Sequence, residues 1–219
     1  IDDQSPTAFT ELKEYFSRSL DITLEKNEHN LGAMQNIWKS IQLDTTSPYL
    51  LSHHADDYLK CDYLEKAITI LEENPDVSFV LTGPKWVAAD AVYHKEFLGD
   101  VPISYFDAAD FAKNILEFAP YIFGSVVYRT SHRINDWRYA EMNTYADRYF
   151  LGEILRTHQS RGAYVHGFGI VEHDHSLDAS DTRSPTLHEE HAIALLGFYK
   201  ELLLQKYPQS QTETIITNA

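Results

Sequence analysis

Apolar residues follow two rhythms along the chain: helical spacing over some stretches, and short continuous runs of the kind that form buried strands over others. Ser5 and Pro6 stand as an N-cap and first helical residue ahead of Phe9, Leu12, Phe16 and Leu20, predicting a first helix. Ile1-Asp2-Asp3, just before it, reads as the last turn of a strand. After an extended piece at Ile22 to Leu24, Asn30 caps a helix with Met34, Ile37, Trp38 and Ile41 on one face. Tyr49-Leu50-Leu51 predicts a buried strand that ends in the polar cluster His53-His54-Ala55-Asp56-Asp57. Asp62 and Glu65 have capping-box spacing, and Leu64, Ala67, Ile68 and Leu71 form an inner helical stripe that stops at Asn74-Pro75.

The second half continues the alternation. Val77 to Leu81 is a strand, and residues 83–105 lack a clear period, so they form an irregular excursion with room for a hairpin. Asp107 caps a helix through Phe118, and Tyr121 to Val127 passes through Gly124-Ser125 into a short strand. Ala146 to His158 is a helix ended by Gly162, and Ala163 to Val171 is extended. An amphipathic helix from Leu187 to Lys206, with Ala192, Leu195, Leu196, Tyr199 and Leu203, precedes a polar, frayed tail. Strands alternating with helices predict an α/β fold with a mostly parallel sheet, whose ligands bind beyond the carboxyl ends of the strands.

Bulk properties narrow the function. A length of 219 residues suits one large domain. No stretch approaches the roughly 20 apolar residues of a membrane span. The formal net charge of −15 repels nucleic-acid phosphates and acidic membranes, although a bound cation would let an acidic protein hold a diphosphate. A single cysteine, Cys61, excludes an internal disulfide.

Three polar groups fall at predicted strand ends: Asp2-Asp3-Gln4-Ser5, His54-Ala55-Asp56-Asp57 and His173-Asp174-His175. Asp2, Asp3 and Ser5 also suit plain helix capping. Asp56 and Asp57 place like charges side by side, which a cation or hydrogen-bond donors would offset. His173 and His175, two apart on an extended segment, face one side, as metal ligands or as surface histidines. Trp86, Trp137, Tyr139 and Tyr145 suit either a core or a sugar-stacking floor. Arg129 and Arg133 suit either a phosphate or surface ion pairs.

The order of these groups resembles the family 2 glycosyltransferases. The match runs through Ile1-Asp2-Asp3-Gln4-Ser5, Asn27-Glu28-His29-Asn30-Leu31-Gly32 with Asn36, Tyr49 to Leu59, Tyr63-Leu64-Glu65-Lys66 and Asn74-Pro75-Asp76-Val77. The resemblance implies a GT-A fold, the nucleotide-diphospho-sugar transferase architecture, with a mostly parallel Rossmann-like sheet flanked by helices. It implies that residues 1–182 form this domain without its first strand and helix, and that 183–219 form the amphipathic helix and tail. Because the family's opening βα unit has no counterpart, roughly 30 to 45 further N-terminal residues are expected.

By the same resemblance, Asp2, Asp3 and Ser5 hold the base and ribose, and Asn30 belongs to the Asn-x-Gly element before the next helix. His54-Ala55-Asp56 occupies the Asp-x-Asp position, with His54 in place of the first acid. Asp56, with Asp57, would coordinate Mn or Mg on the diphosphate, and His173 or His175 would approach the same metal. Gly124 and Ser125 would lie beneath sugar and acceptor, and Asp147 would be the base of an inverting transfer. The implied donor is a UDP- or dTDP-sugar, the acceptor a carbohydrate or lipid-linked glycan, and the location the cytoplasm or the inner membrane face. Two other readings remain: a metal-dependent hydrolase using His53, His54, Asp56, Asp57, His173 and His175, and a catalytically idle nucleotide-sugar binding module.

Overall fold

The computed structural model describes residues 1, 3, 14, 21, 23–43, 46–54, 57–87, 92–94, 103–117, 123–134, 146–173 and 185–218. The helix expected after Pro6 lies outside the described residues, as do Asp2, Ser5, Asp56, His175, Trp137, Tyr139 and Tyr145. Six helices are described: α1 (Ala33–Ile41), α2 (Tyr63–Glu73), α3 (Ala108–Glu117), α4 (Ala146–His158), α5 (Pro185–Leu204) and α6 (Gln209–Thr217). The strands are β1 (Tyr49–Leu51), β2 (Asp57–Tyr58), β3 (Val77–Val87), β4 (Val92–His94), β5 (Ile103–Phe106), β6 (Val127–Arg129) and β7 (Arg161–His173).

They form one seven-stranded sheet in the order β1-β6-β3-β7-β2, with β4 beside β3 and β5 beside β7. Here the expectation of a mostly parallel sheet is corrected. Only β3 and β7 pair in parallel, and the other five described pairings are antiparallel. A parallel neighbour requires a long crossover, which the chain between β3 and β7 supplies. β4 instead folds back on β3, and β6 is entered from the 3-10 turn Phe123–Ser125 at the end where β1 finishes. Apolar periodicity identifies strands but carries no direction.

Each face of the sheet is covered. Val77, Val80, Val127, Ala163 and Val165 pack under α2, while Phe79, Leu81, Tyr128 and Tyr164 join the cluster built with α1, α3, α4, α5 and α6. Val77 and Val80 share a face despite odd spacing because the β3–β7 register shifts between Val77 and Phe79. In α2 the buried residues are Tyr63, Ala67, Ile70 and Leu71, and Leu64 is 42% exposed, so the inner stripe is rotated from the expected one. Tyr63 decides the rotation: it offers more apolar surface than Leu64, and its hydroxyl finds the Ser125 carbonyl 2.7 Å away.

Asp107 caps α3 as expected, its Oδ1 accepting the Asp110 amide at 2.8 Å. Helix α4 ends at Gln159, which takes φ 48°, rather than at Gly162, which lies inside β7. At Gly152 a Cβ would stand 2.8 Å from the Phe198 ring, and this close approach lets Tyr149 stack on Phe198 at 4.1 Å. The expected frayed tail is replaced by α6, which buries Thr212 and Ile215 against the layer containing α3 and α5. Its stability comes from docking an apolar edge, because a nine-residue helix is marginal alone. Among the described residues no helix is long and apolar enough to cross a membrane.

Candidate functional site

The carboxyl ends of β1, β3 and β7 lie at one end of the sheet. β1 finishes at Leu51 opposite Val127, where β6 begins, and β7 runs parallel to β3. α4 leads into Arg161, whose amide donates to Asp76 O at 2.9 Å just before β3, so α4 starts at the carboxyl end of β3. α1 ends where Arg133, past the exit of β6, donates to Ile41 O at 3.0 Å and Leu43 O at 2.7 Å, so it too starts there. Asp147 in the first turn of α4 and the Asn27–Gly32 loop before α1 are therefore brought to the end where α/β folds bind ligands.

Asp3 organises that loop. Its Oδ1 accepts from Asn27 Nδ2 and from the Leu31 amide, both at 2.8 Å, and its Oδ2 accepts from the Gly32 amide at 2.9 Å. Asn30 Nδ2 donates to Asp3 O at 3.1 Å, and Asn30 Oδ1 also accepts from Gly32 N at 2.9 Å. Gly32, at φ 78°, is the N-cap residue of α1, and it offers no side chain to the first-turn amides. The distant Asp3 carboxylate places the negative charge a helix start favours. Asn27 relays the lock into α1, donating to Asn36 Oδ1 at 2.9 Å and accepting from Lys39 Nζ at 2.7 Å. Asp3 and Asn30 thus act together, clamping the Asn-x-Gly element.

The second group surrounds the 3-10 turn. Ser125 is fully buried, and its hydroxyl lies 3.3 Å from both Thr82 N and Thr82 O. The Tyr63 hydroxyl donates to Ser125 O, and burial pushes the Tyr63 phenol far up, so it remains a donor. His53 is exposed, with Nδ1 3.0 Å from Gly124 O. His54, at the replaced acid position, is half-buried. Gly124 and Ser125 therefore form the wall beside the end of β1, with the Ser125 side chain turned into the core.

The third group is set by strand register. β2 runs antiparallel to β7, with Asp57 opposite Glu172, one residue before His173. On the other side of β7, Trp86 stands opposite Glu172 and Val87 opposite His173. Among the described residues no three His, Cys, Asp or Glu side chains gather.

Other sequence candidates belong to the fold. Arg129 donates from Nε to Val77 O at 2.8 Å and from its guanidinium to Leu71 O and Asn74 O, holding carbonyls at the end of α2. Arg133 does the same for α1. A cavity of about 620 Å³ between the start of α3, the end of α4 and the start of β7 lies at the opposite end of the sheet. Its cations are already paired: Arg161 with Asp76, Lys206 with Asp107 and Asp110, and Arg156 with Glu153. Sequence reasoning passed over Asn27, Tyr63 and Glu172 as site residues and placed His53 only in the hydrolase set. Only Asn27 carried a local signal, by standing beside the Asn-x-Gly element.

No family model and no curated protein matches the sequence. Solved structures do share the fold. S. aureus TarS, a glycosyltransferase, matches as residues 1–349 in complex with UDP at 15% identity and TM-score 0.63, over 98% of this chain and 58% of that one. The same protein in complex with UDP-GlcNAc matches at 15% identity and TM-score 0.64, over 98% and 60%. A longer TarS structure matches at 13% identity and TM-score 0.59, over 98% and 35%. The chain thus spans at most about 60% of these neighbours' length and shares their fold.

Proposed function

We propose that this chain carries the donor half of a nucleotide-sugar glycosyltransferase of family 2 type. The observation that supports this best is the convergence, at one end of the sheet, of the Asp3-clamped loop, the Gly124-Ser125 turn, the β2–β7 pairing of Asp57 with Glu172, next to His173, and the start of α4 with Asp147. That the fold neighbours are bound to UDP and UDP-GlcNAc favours a uridine donor. In this reading Asp2, Asp3, Ser5 and Asn30 shape the nucleoside side, and His54 and Asp56 face the ribose and diphosphate. The residues that would hold a divalent Mn or Mg are Asp56, Asp57, His173 and His175, and the ion would offset the charge of the departing diphosphate.

Asp147 is the base. It takes the proton from the acceptor hydroxyl as that oxygen bonds to the anomeric carbon, while the bond from that carbon to the diphosphate oxygen breaks and the electron pair leaves with the diphosphate. Asp147 lies in the first turn of α4, where a helix start favours a negative charge, as a base requires. The acceptor is a hydroxyl-bearing carbohydrate or lipid-linked glycan. A free, exposed Cys61 accords with a reducing compartment such as the cytoplasm.

Thermal stability against a panel of nucleoside-diphosphate sugars, with and without Mn, tests the reading. A donor at about 100 times its dissociation constant stabilises by roughly 2.7 kcal/mol, or a shift of about 5 to 10 °C at this size. The expected result is a Mn-dependent shift with UDP-sugars that Asp56→Ala removes. A shift with zinc or iron alone, and none with any donor, would support the hydrolase. A donor shift with no transfer or donor hydrolysis would support the idle binding module.

A further inference from the structure

The turn beside the end of β1 is held from three sides. Two holds are internal: Tyr63 on Ser125 O at 2.7 Å, and the Ser125 hydroxyl on the Thr82 backbone at 3.3 Å. The third comes from the exposed His53, whose Nδ1 reaches Gly124 O at 3.0 Å. A carbonyl oxygen only accepts, so Nδ1 carries the proton and the imidazole tautomer is fixed. Gly124 has no Cβ, so its own backbone geometry is less restricted than that of other residues and the His53 contact is one of the bonds that fix it. His53 is also the second residue beyond β1, on the segment that leads to His54 and Asp56-Asp57.

We infer that His53 is a positioning residue of this site: its ring couples the segment leaving β1 to the Gly124-Ser125 turn and sets where the donor's sugar sits against that turn. The inference rests on the transferase reading. It assigns the sugar, rather than the nucleotide, to the turn, because the nucleoside side is built by the separate Asp3 clamp. His53→Ala should therefore lower kcat for transfer or donor hydrolysis roughly tenfold while leaving the affinity for UDP alone unchanged.

Side-chain geometry supplies the discriminating variants. Asn presents its amide donor where the histidine Nδ1 stands, so His53→Asn should restore most of the rate. Gln reaches instead to the Nε2 position, so His53→Gln should behave as His53→Ala does. Amide hydrogen exchange across 123–127 gives a readout free of activity, rising in the Ala and Gln variants and returning in Asn. Rescue by Gln but not Asn would overturn the inference in favour of direct ligand contact through Nε2. Unchanged exchange and kinetics in His53→Ala would overturn it and leave the transferase reading intact. A wild-type protein that turns over no nucleotide sugar would overturn both.

Discussion

At the amino end of β3, Ser78 is fully buried and its hydroxyl lies 2.7 Å from His132 Nδ1 and beside the Ser160 hydroxyl. His132 stacks on His158 with ring centroids 4.4 Å apart, and Arg129 and Arg133 bond to helix-end carbonyls nearby. At the carboxyl end of the same strand, His53 is exposed and anchored by one ring nitrogen, and Asp147 sits half-exposed on the first turn of α4. Histidine and charged residues occur at both ends. At the amino end they satisfy backbone groups and one another, and their loss should weaken the fold. At the carboxyl end the backbone holds them in place, and their loss should weaken chemistry.

The largest effect expected from this contrast is chemical. Asp147→Asn should lower transfer by about 10³-fold, within the range assigned to a general base, while the melting temperature stays within about 2 °C. Initial rates with a saturating UDP-sugar, alongside a melting curve, check it; a comparable loss of stability would make Asp147 a structural cap instead. Next is Arg129→Met, which leaves partly buried carbonyls at the end of α2 without their donor. It should cost roughly 2 to 3 kcal/mol, seen as a drop of about 5 to 10 °C in Tm, with donor affinity of the folded protein unchanged.

Asp3 belongs to both regimes, since its carboxylate is structural but lies at the ligand end. Asp3→Ala should cost roughly 1 to 2 kcal/mol and also weaken UDP binding severalfold, because the Asn27–Gly32 loop loses its shared acceptor. Paired calorimetric titration and denaturant melts separate the two effects.

The smallest effect concerns pH. Burial, then His158, then Arg129 lower the His132 pKa from its ordinary value, so the folded protein takes up a proton there less readily than the unfolded chain. The unfolded chain takes up that proton first, below about pH 6.5, so stability should fall as pH drops through that value. In His132→Asn the fall should be shallower, by comparison of Tm at pH 7.5 and 5.5. An identical pH slope would remove His132 from the account.

How much of this was legible in the sequence depended on whether the deciding contact was local. Asp107 before its helix, Tyr49-Leu50-Leu51 and the start of α4 were readable because caps and apolar runs act within a turn or two, whereas the stop signal of α4 proved to be Gln159 and not Gly162. Tyr63 and Leu64 offered two overlapping stripes, and only the Ser125 carbonyl, sixty-two residues away, chose between them. α6 was unreadable because its local pattern is weak and its docking partners are far along the chain. Arg129 suited a phosphate or a surface ion pair equally, since sequence does not reveal which carbonyls a guanidinium meets.

The sequence by itself determined that strands and helices alternate, that polar groups follow the strands, and that Asp3, Asn30, His54, Gly124, Ser125 and Asp147 stand in a transferase-like order. Periodicity and capping suffice for the first two, being properties of neighbouring residues, and the transferase-like order is what the family resemblance implies. The tertiary structure alone decided strand direction, the pairing of Asp57 with Glu172, the turning of the Ser125 hydroxyl into the core and the anchoring of His53 on Gly124. Each depends on which distant backbone groups need partners once the chain is compact, and that demand exists only in the folded state.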